Sequence, residues 1–129
     1  MLEPNVKSLA QGKNFAAFST LLPDGQPMTH VMWVDADDEH LLINTEVGRQ
    51  KFRNVSRDPR VTVTVIDAAS PYRYVEVRGE VVQTVRGQEA RDHIDQLSQK
   101  YTGGPYDASA IQTERVILRI TPSRQRANG

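Results

Sequence analysis

The sequence predicts a mainly-β domain of six antiparallel strands with two or three short helices, rolled into a small barrel. Residues 60–67, RVTVTVID, alternate apolar and polar side chains at period two, as a half-buried strand does. Asp24-Gly25 stands between two apolar, β-branched runs, a strong hairpin signal. A sustained helical period takes over only from Gly87. At 129 residues the chain makes one domain, long enough to bury a core.

In order, VKSLAQGK (6–13) reads as a short opening helix with Gly12 near its end. NFAAFSTLL (14–22) and MTHVMWVD (28–35) are strands joined through the PDGQP turn, and DADDEH makes the next polar turn. LLINT (41–45) is a third strand, and GRQKFRNVSRD (48–58) a short helix stopped by Pro59. After strand 60–67, AASP turns the chain into YRYVEVRGEVVQTV (72–85), where Gly79 implies a bulge or bend. Ala90, Ile94, Leu97 and Tyr101 share one face of a helix over 88–101. TGGPYDASAIQT (102–113) is a long loop and a candidate binding or lid segment. ERVILRITP (114–122) is the last strand, and SRQRANG a loose polar tail.

Composition removes several classes. Lysine plus arginine total 16 and aspartate plus glutamate total 16, so the basic excess of a general nucleic-acid binder is missing. There is no cysteine, hence no disulfide, thiolate nucleophile or cysteine metal site. His30, His40 and His93 are scattered without partners at metal-ligand spacing, so no metal is expected. No apolar run approaches the roughly 18 residues of a membrane span, and MLEPNVKSLAQGK lacks the apolar core of a signal peptide. The expectation is a cytoplasmic protein without membrane or nucleic-acid partners.

The basic segment 48–58 raises the functional question. At about 100° per residue, Phe52 and Val55 face inward, whereas Arg53 and Arg57 point to water as a solubilising face. Arg49 and Lys51 border the apolar stripe in the first turn, where free N–H groups and the helix dipole favour an anion. Gly48 permits close approach of a ligand to the backbone. Together they form a candidate phosphate site. Trp33, Tyr72 and Tyr74 are core aromatics by default, or walls for a planar ring beside that site.

The words FAAFSTLLPDGQPMTHVMWVD, RQKFRNVSRDPRVTVTVID, PYRYVEVRGEV and RVILRITP resemble the pyridoxamine 5′-phosphate oxidase-like superfamily. More narrowly, they are similar to its deazaflavin (F-420)-dependent branch of flavin/deazaflavin oxidoreductases, from about Phe15 to Pro122. The resemblance implies an FMN-binding split β-barrel, assembled as a homodimer with two cofactors at the subunit interface. It places the phosphate-binding cations at Arg49 and Lys51, followed by Asn54, and further cofactor contacts at Asn44 and Thr45. Trp33 is retained on the ring-pocket strand, whereas His30 and Met32 depart from the usual pattern there. Tyr74 falls where oxidase relatives carry a polar residue toward the ring edge.

PSRQRANG lacks the C-terminal substrate-phosphate motif of true pyridoxamine phosphate oxidases. The resemblance to the deazaflavin branch implies hydride transfer from deazaflavin coenzyme F-420 to a planar conjugated acceptor such as a quinone, enone, lactone or tetrapyrrole. An FMN-dependent oxidoreductase and a non-catalytic flavin- or deazaflavin-binding protein are the alternatives. No residue stands out as an acid, base or nucleophile. Tyr74 and His30 are the proton-donor candidates to test.

Overall fold

A computed structural model describes residues 1–128. Their backbone runs α1 (Pro4–Gln11), β1 (Phe15–Leu21), β2 (Pro27–Trp33), β3 (Asp35–Ala36), β4 (Leu41–Glu46) and α2 (Gln50–Arg57). β5 (Arg60–Ile66), β6 (Tyr74–Arg86), α3 (Gln88–Thr102), a 3-10 turn (Ala108–Ala110) and β7 (Arg115–Asn128) complete it. The described strands form one sheet in the order β2-β1-β5-β6-β7-β4-β3, each neighbour antiparallel.

The period-two pattern turns one side of every long strand inward. Ala16 and Phe18, Val61, Val63 and Val65, and Val75 and Val77 meet Val116, Leu118, Ile120, Leu41 and Ile43 in the barrel core. Removing one such side chain from water contributes about 1.5–3 kcal/mol. α1 closes one end with Val6, Leu9 and Ala10.

β6 and β7 are long enough to bend the sheet back on itself. The first half of β6 pairs with β5 on one side and with the end of β7 on the other. Its second half pairs with the start of β7, which in turn pairs with β4. The register slips at Arg78/Gly79 and again at Val81/Gln83. At the first slip β7 passes so close that a Cβ on Gly79 would collide with the Thr121 carbonyl oxygen, so the expected bend has a steric cause.

The barrel does not close, because β2 and β3 are edge strands. β3 pairs only with Leu41 and Leu42, which leaves residues 43–46 of β4 with one open edge facing the free edge of β2. This split positions the site.

Three expectations need correction. The sheet has seven strands rather than six among the described residues, because Asp35–Ala36 in the supposed turn pairs with β4. The turn itself is tighter: the Asp37 carboxylate accepts the Glu39 and His40 N–H groups. Residues 123–128 of the C-terminal tail are not loose, and Gly129 lies outside the described residues. Pro122–Asn128 lies along Tyr74–Gly79, giving the first half of β6 its second partner. Backbone pairing holds it although its side chains are mostly exposed, so periodicity carried no sign of it.

The remaining boundaries move by a residue or two. α1 begins at Pro4 with proline in its first turn. α3 carries the predicted face of Ala90, Ile94, Leu97 and Tyr101 and ends at Gly103, whose φ of 80° is left-handed. Among the described residues no helix is long and apolar enough to cross a membrane.

Candidate functional site

α3 lies over the split, and the packing there makes a cleft of about 260 Å³. Val31, Met32 and Trp33 of β2 form one wall, while Asn44 of β4, Arg115 of β7 and Ile94 of α3 face it. Tyr106, from the 102–113 loop, closes one side. The Trp33 ring stacks on Tyr101 at 5.1 Å with planes 4° apart and meets Tyr106 edge-on at 6.2 Å. Tyr101 is itself fixed, since its hydroxyl accepts the Val34 N–H at 3.1 Å and donates to the Asn14 carbonyl. The result is a flat, preset aromatic wall.

At the rim stand the cations. Arg49 is the exposed N-cap residue of α2 rather than part of its first turn. Lys51 is only 9% exposed, and its Nζ has Met32 Sδ, 3.1 Å away, as its hydrogen-bond partner. Among the described residues neither Arg49 nor Lys51 pairs with a carboxylate. Burial, and then the charges of Arg49 and Arg115, push the Lys51 ammonium below its ordinary pKa. A thioether is a poor acceptor for a buried ammonium, so this arrangement lacks a counter-anion.

Behind the wall runs a buried polar chain. The Asn44 amide nitrogen donates to the Ala90 carbonyl at 3.0 Å and to His93 Nδ1 at 3.1 Å. The His93 proton therefore sits on Nε2, which donates to Asp35 Oδ2 at 3.1 Å. Asn44 Oδ1 accepts from Arg115 Nε at 2.8 Å, and Arg115 also donates to Glu46 Oε2 at 3.3 Å. Burial alone would raise the Asp35 carboxyl, but the bonds from His93 and Ala36 and the Lys100 charge hold it below its usual value. Burial likewise opposes ionisation of Glu46, and the Thr113 and Gln112 N–H groups, the Thr113 hydroxyl and Arg115 outweigh it.

The sequence-predicted residues divide. Trp33, Asn44, Arg49 and Lys51 gather around the cleft and its rim. Thr45 turns its side chain to the opposite, barrel side, beside buried Ile43, so only its backbone edge faces the split. Asn54 is fully buried and occupied, donating to Thr20 Oγ1 and accepting from Gln50 Nε2; it ties α2 to β1. Tyr72 is 82% exposed in the turn before β6. Tyr74 pairs with Ile66, which pairs with Phe15, which pairs with Trp33, so three strand spacings separate it from the cleft. Within one chain Tyr101 and Tyr106 wall the cleft instead.

Gly48 has a packing cause: a Cβ there would meet Thr113 Cγ2 at 2.8 Å, and its N–H donates to Thr113 Oγ1. Arg53 and Arg57 are exposed as expected, although each also ties the helix down, Arg53 to the Gly48 carbonyl and Arg57 to that of Leu21. His30 is exposed on β2 and lines none of the cleft. Sequence reasoning missed Arg115, Glu46, His93 and Asp35. The available signal was weak: a cation opening the mostly apolar strand of ERVILRI, and an acid closing LLINTE.

Comparison with known proteins matches residues 2–128 to the family model described as pyridoxamine 5′-phosphate oxidase. Among solved structures, one named F-420 reductase superposes with a TM-score of 0.83 at 32% identity, over 97% of this chain and 98% of that one. A conserved hypothetical protein from Mycobacterium tuberculosis aligns with a TM-score of 0.78 at 28% identity, over 99% of this chain and 84% of that one. General Stress Protein 26 from Bacillus anthracis, at 18% identity and a TM-score of 0.71 over 96% of this chain and 91% of that one, shares the fold. No curated protein matches.

Proposed function

Because the chain belongs to the pyridoxamine 5′-phosphate oxidase family, we propose that it is an oxidoreductase that uses deazaflavin coenzyme F-420 to reduce a planar conjugated small molecule. The observation that carries this is Lys51: a nearly buried ammonium, flanked by Arg49 and Arg115, with a methionine sulfur where an anion belongs. A phosphate meets that requirement, and the cleft beside it is flat, aromatic and sized for a ring. When bound, the deazaflavin supplies hydride. FMN is the alternative cofactor, since its phosphate suits the same cations.

The chain's own residues bind and orient. Arg49 and Lys51 hold the phosphate, Arg49 from the rim and Lys51 from beneath Met32. The open β4 edge at residues 43–46 offers backbone groups to a polar ring edge, which is the contact left to Thr45. Trp33, held by Tyr101 and Tyr106, keeps water from one side and aligns a flat acceptor. The activity needs no nucleophile, which agrees with the absence of an obvious one.

Fluorescence titration with F-420, FMN and FAD in parallel is the direct test. Micromolar or tighter binding of F-420, weaker binding of FMN, and oxidation of reduced F-420 by a quinone or enone are the expected results. Stoichiometric copurification of FMN with peroxide-forming turnover would replace this reading with a flavin oxidase.

The working unit is a homodimer. Trp33, Phe15, Ile66 and Tyr74 form one row across the outer sheet face, where Phe15 is 42% and Val31 72% exposed. A second copy covering that face would bring its Tyr72 and Tyr74 toward the neighbouring cleft. Sedimentation should give about twice the 14.5 kDa of one chain, and a tight-binding monomer would remove the shared-site arrangement.

A further inference from the structure

Arg115 is only 8% exposed yet lines the cleft. Its guanidinium lies 5.3 Å from the Tyr106 ring centroid, and its Nε and one terminal nitrogen are committed to Asn44 and Glu46. The other terminal nitrogen has no hydrogen-bond partner among the described residues and is not fully buried, and Arg115 itself is part of the cleft lining. Glu46 meets the guanidinium on one side only: its Oε2 accepts from Arg115, while its Oε1 receives the Gln112 and Thr113 N–H groups and the Thr113 hydroxyl. A buried, oriented cation with a free donor edge therefore faces the space where a flat acceptor would lie.

We propose that Arg115 is the oxyanion-holding residue for the hydride acceptor, which makes the site selective for acceptors whose carbonyl oxygen gains charge on reduction. The proposal rests on the hydride-transfer reading above. When hydride from the reduced cofactor forms a C–H bond at the β-carbon of an enone, the C=C pair shifts and the carbonyl oxygen becomes an enolate. That oxygen then takes a proton from water to complete a two-electron reduction. The free Arg115 N–H edge stabilises the charge as it forms. Asp35, His93 and Asn44 act as positioning residues, because their chain of bonds ends on Arg115 Nε and sets the plane of the fork.

Arg115→Gln and Arg115→Lys test this with two kinds of readout. Without turnover, 4-nitrophenol is titrated spectroscopically with the purified protein. Wild type should bind the phenolate preferentially and ionise the dye at lower pH than in water, and Arg115→Gln should lose this shift. With turnover, Arg115→Gln should reduce kcat/KM for a neutral enone by about 100-fold, the usual effect of removing one oxyanion donor. Reduction of a cationic tetrazolium dye, which accepts hydride without forming an oxyanion, should fall far less than that of the enone.

Arg115→Lys keeps a buried cation without the fork, so it should fold and retain part of the enone rate should the glutamine variant prove unstable. Equal losses on both acceptors, an unshifted dye with wild type, or a full enone rate in Arg115→Lys would each overturn the proposal. Failure of the wild type to bind F-420 or FMN would instead remove the functional reading, while the dye titration would still report on Arg115.

Discussion

Two sets of basic residues in this chain have opposite surroundings. On the outer surface, Arg60, Arg73, Arg78 and Arg86 each reach a carboxylate, at Asp58, Asp67, Glu76 and Glu114. They stand in water, and their pairing is local and screened. At the split, Lys51 and Arg115 are nearly buried, Arg49 caps α2 beside them, and of the three only Arg115 has a carboxylate. The first set needs nothing further. The second carries more positive charge than its surroundings offset, which costs stability unless an anion arrives. Arginine content alone does not distinguish the two; burial without a partner does.

The largest effect expected from this contrast is on binding. Lys51→Ala and Arg49→Ala should each weaken affinity for the phosphate-bearing cofactor by about 1.5–3 kcal/mol, the range for hydrogen bonds to charged groups. Arg53→Ala and Arg57→Ala on the same helix should leave affinity nearly unchanged. Parallel titrations that found all four alike would dissolve the distinction.

A second effect has the opposite sign. Lys51→Met removes a buried, unpaired charge from the empty protein, so urea melts without ligand should show stability unchanged or raised, by up to about 1 kcal/mol. Binding should fall in the same variant. A protein destabilised as strongly as it loses affinity would show that Lys51 is held by interactions other than a ligand's.

The pH dependence sharpens the same point. Lys51 has a lowered folded value against an ordinary 10.5. As pH rises through that window the folded chain releases its proton first and the unfolded chain binds more, so this residue makes the empty protein more stable toward alkaline pH. A bound phosphate favours the ammonium, so affinity should fall over the same window, with proton uptake on binding. Calorimetry in two buffers of different ionisation enthalpy reads that uptake; none at alkaline pH would place the anion elsewhere. Asp35 and Glu46 run the other way. Their folded values lie below 3.8 and 4.5, so the stability they contribute is complete above those values and lost as pH falls through the folded ones.

The smallest effects belong to the exposed pairs. Arg60→Ala and Arg78→Ala should leave both cofactor titration and melting temperature within experimental scatter. A measurable loss of binding in either would extend the anion site across the outer sheet.

Local pattern made much of this legible. The alternation of RVTVTVI, the Asp24-Gly25 turn and the helical face from Ala90 to Tyr101 each report burial of side chains a few residues apart. The cations at the start of α2 were legible for the same reason, since a helix start and its charges are neighbours in sequence. The pairing of the polar C-terminal residues was not, because backbone hydrogen bonds are indifferent to side-chain character.

Local pattern was thus enough for the mainly-β class, the helix positions and the placing of two cations, Arg49 and Lys51, at the start of α2. Which residues share the cleft depends on long-range packing that no local pattern carries. Arg115 reaches Asn44 across 71 residues, Asp35 meets His93 across 58, and Tyr101 rather than Tyr72 or Tyr74 backs Trp33. Those meetings depend on the register of β4 against β7 and on the bend that Gly79 allows. Asn44 faces the cleft and Thr45 does not because strand neighbours point to opposite sides, and which side is the cleft is set by where α3 comes to rest.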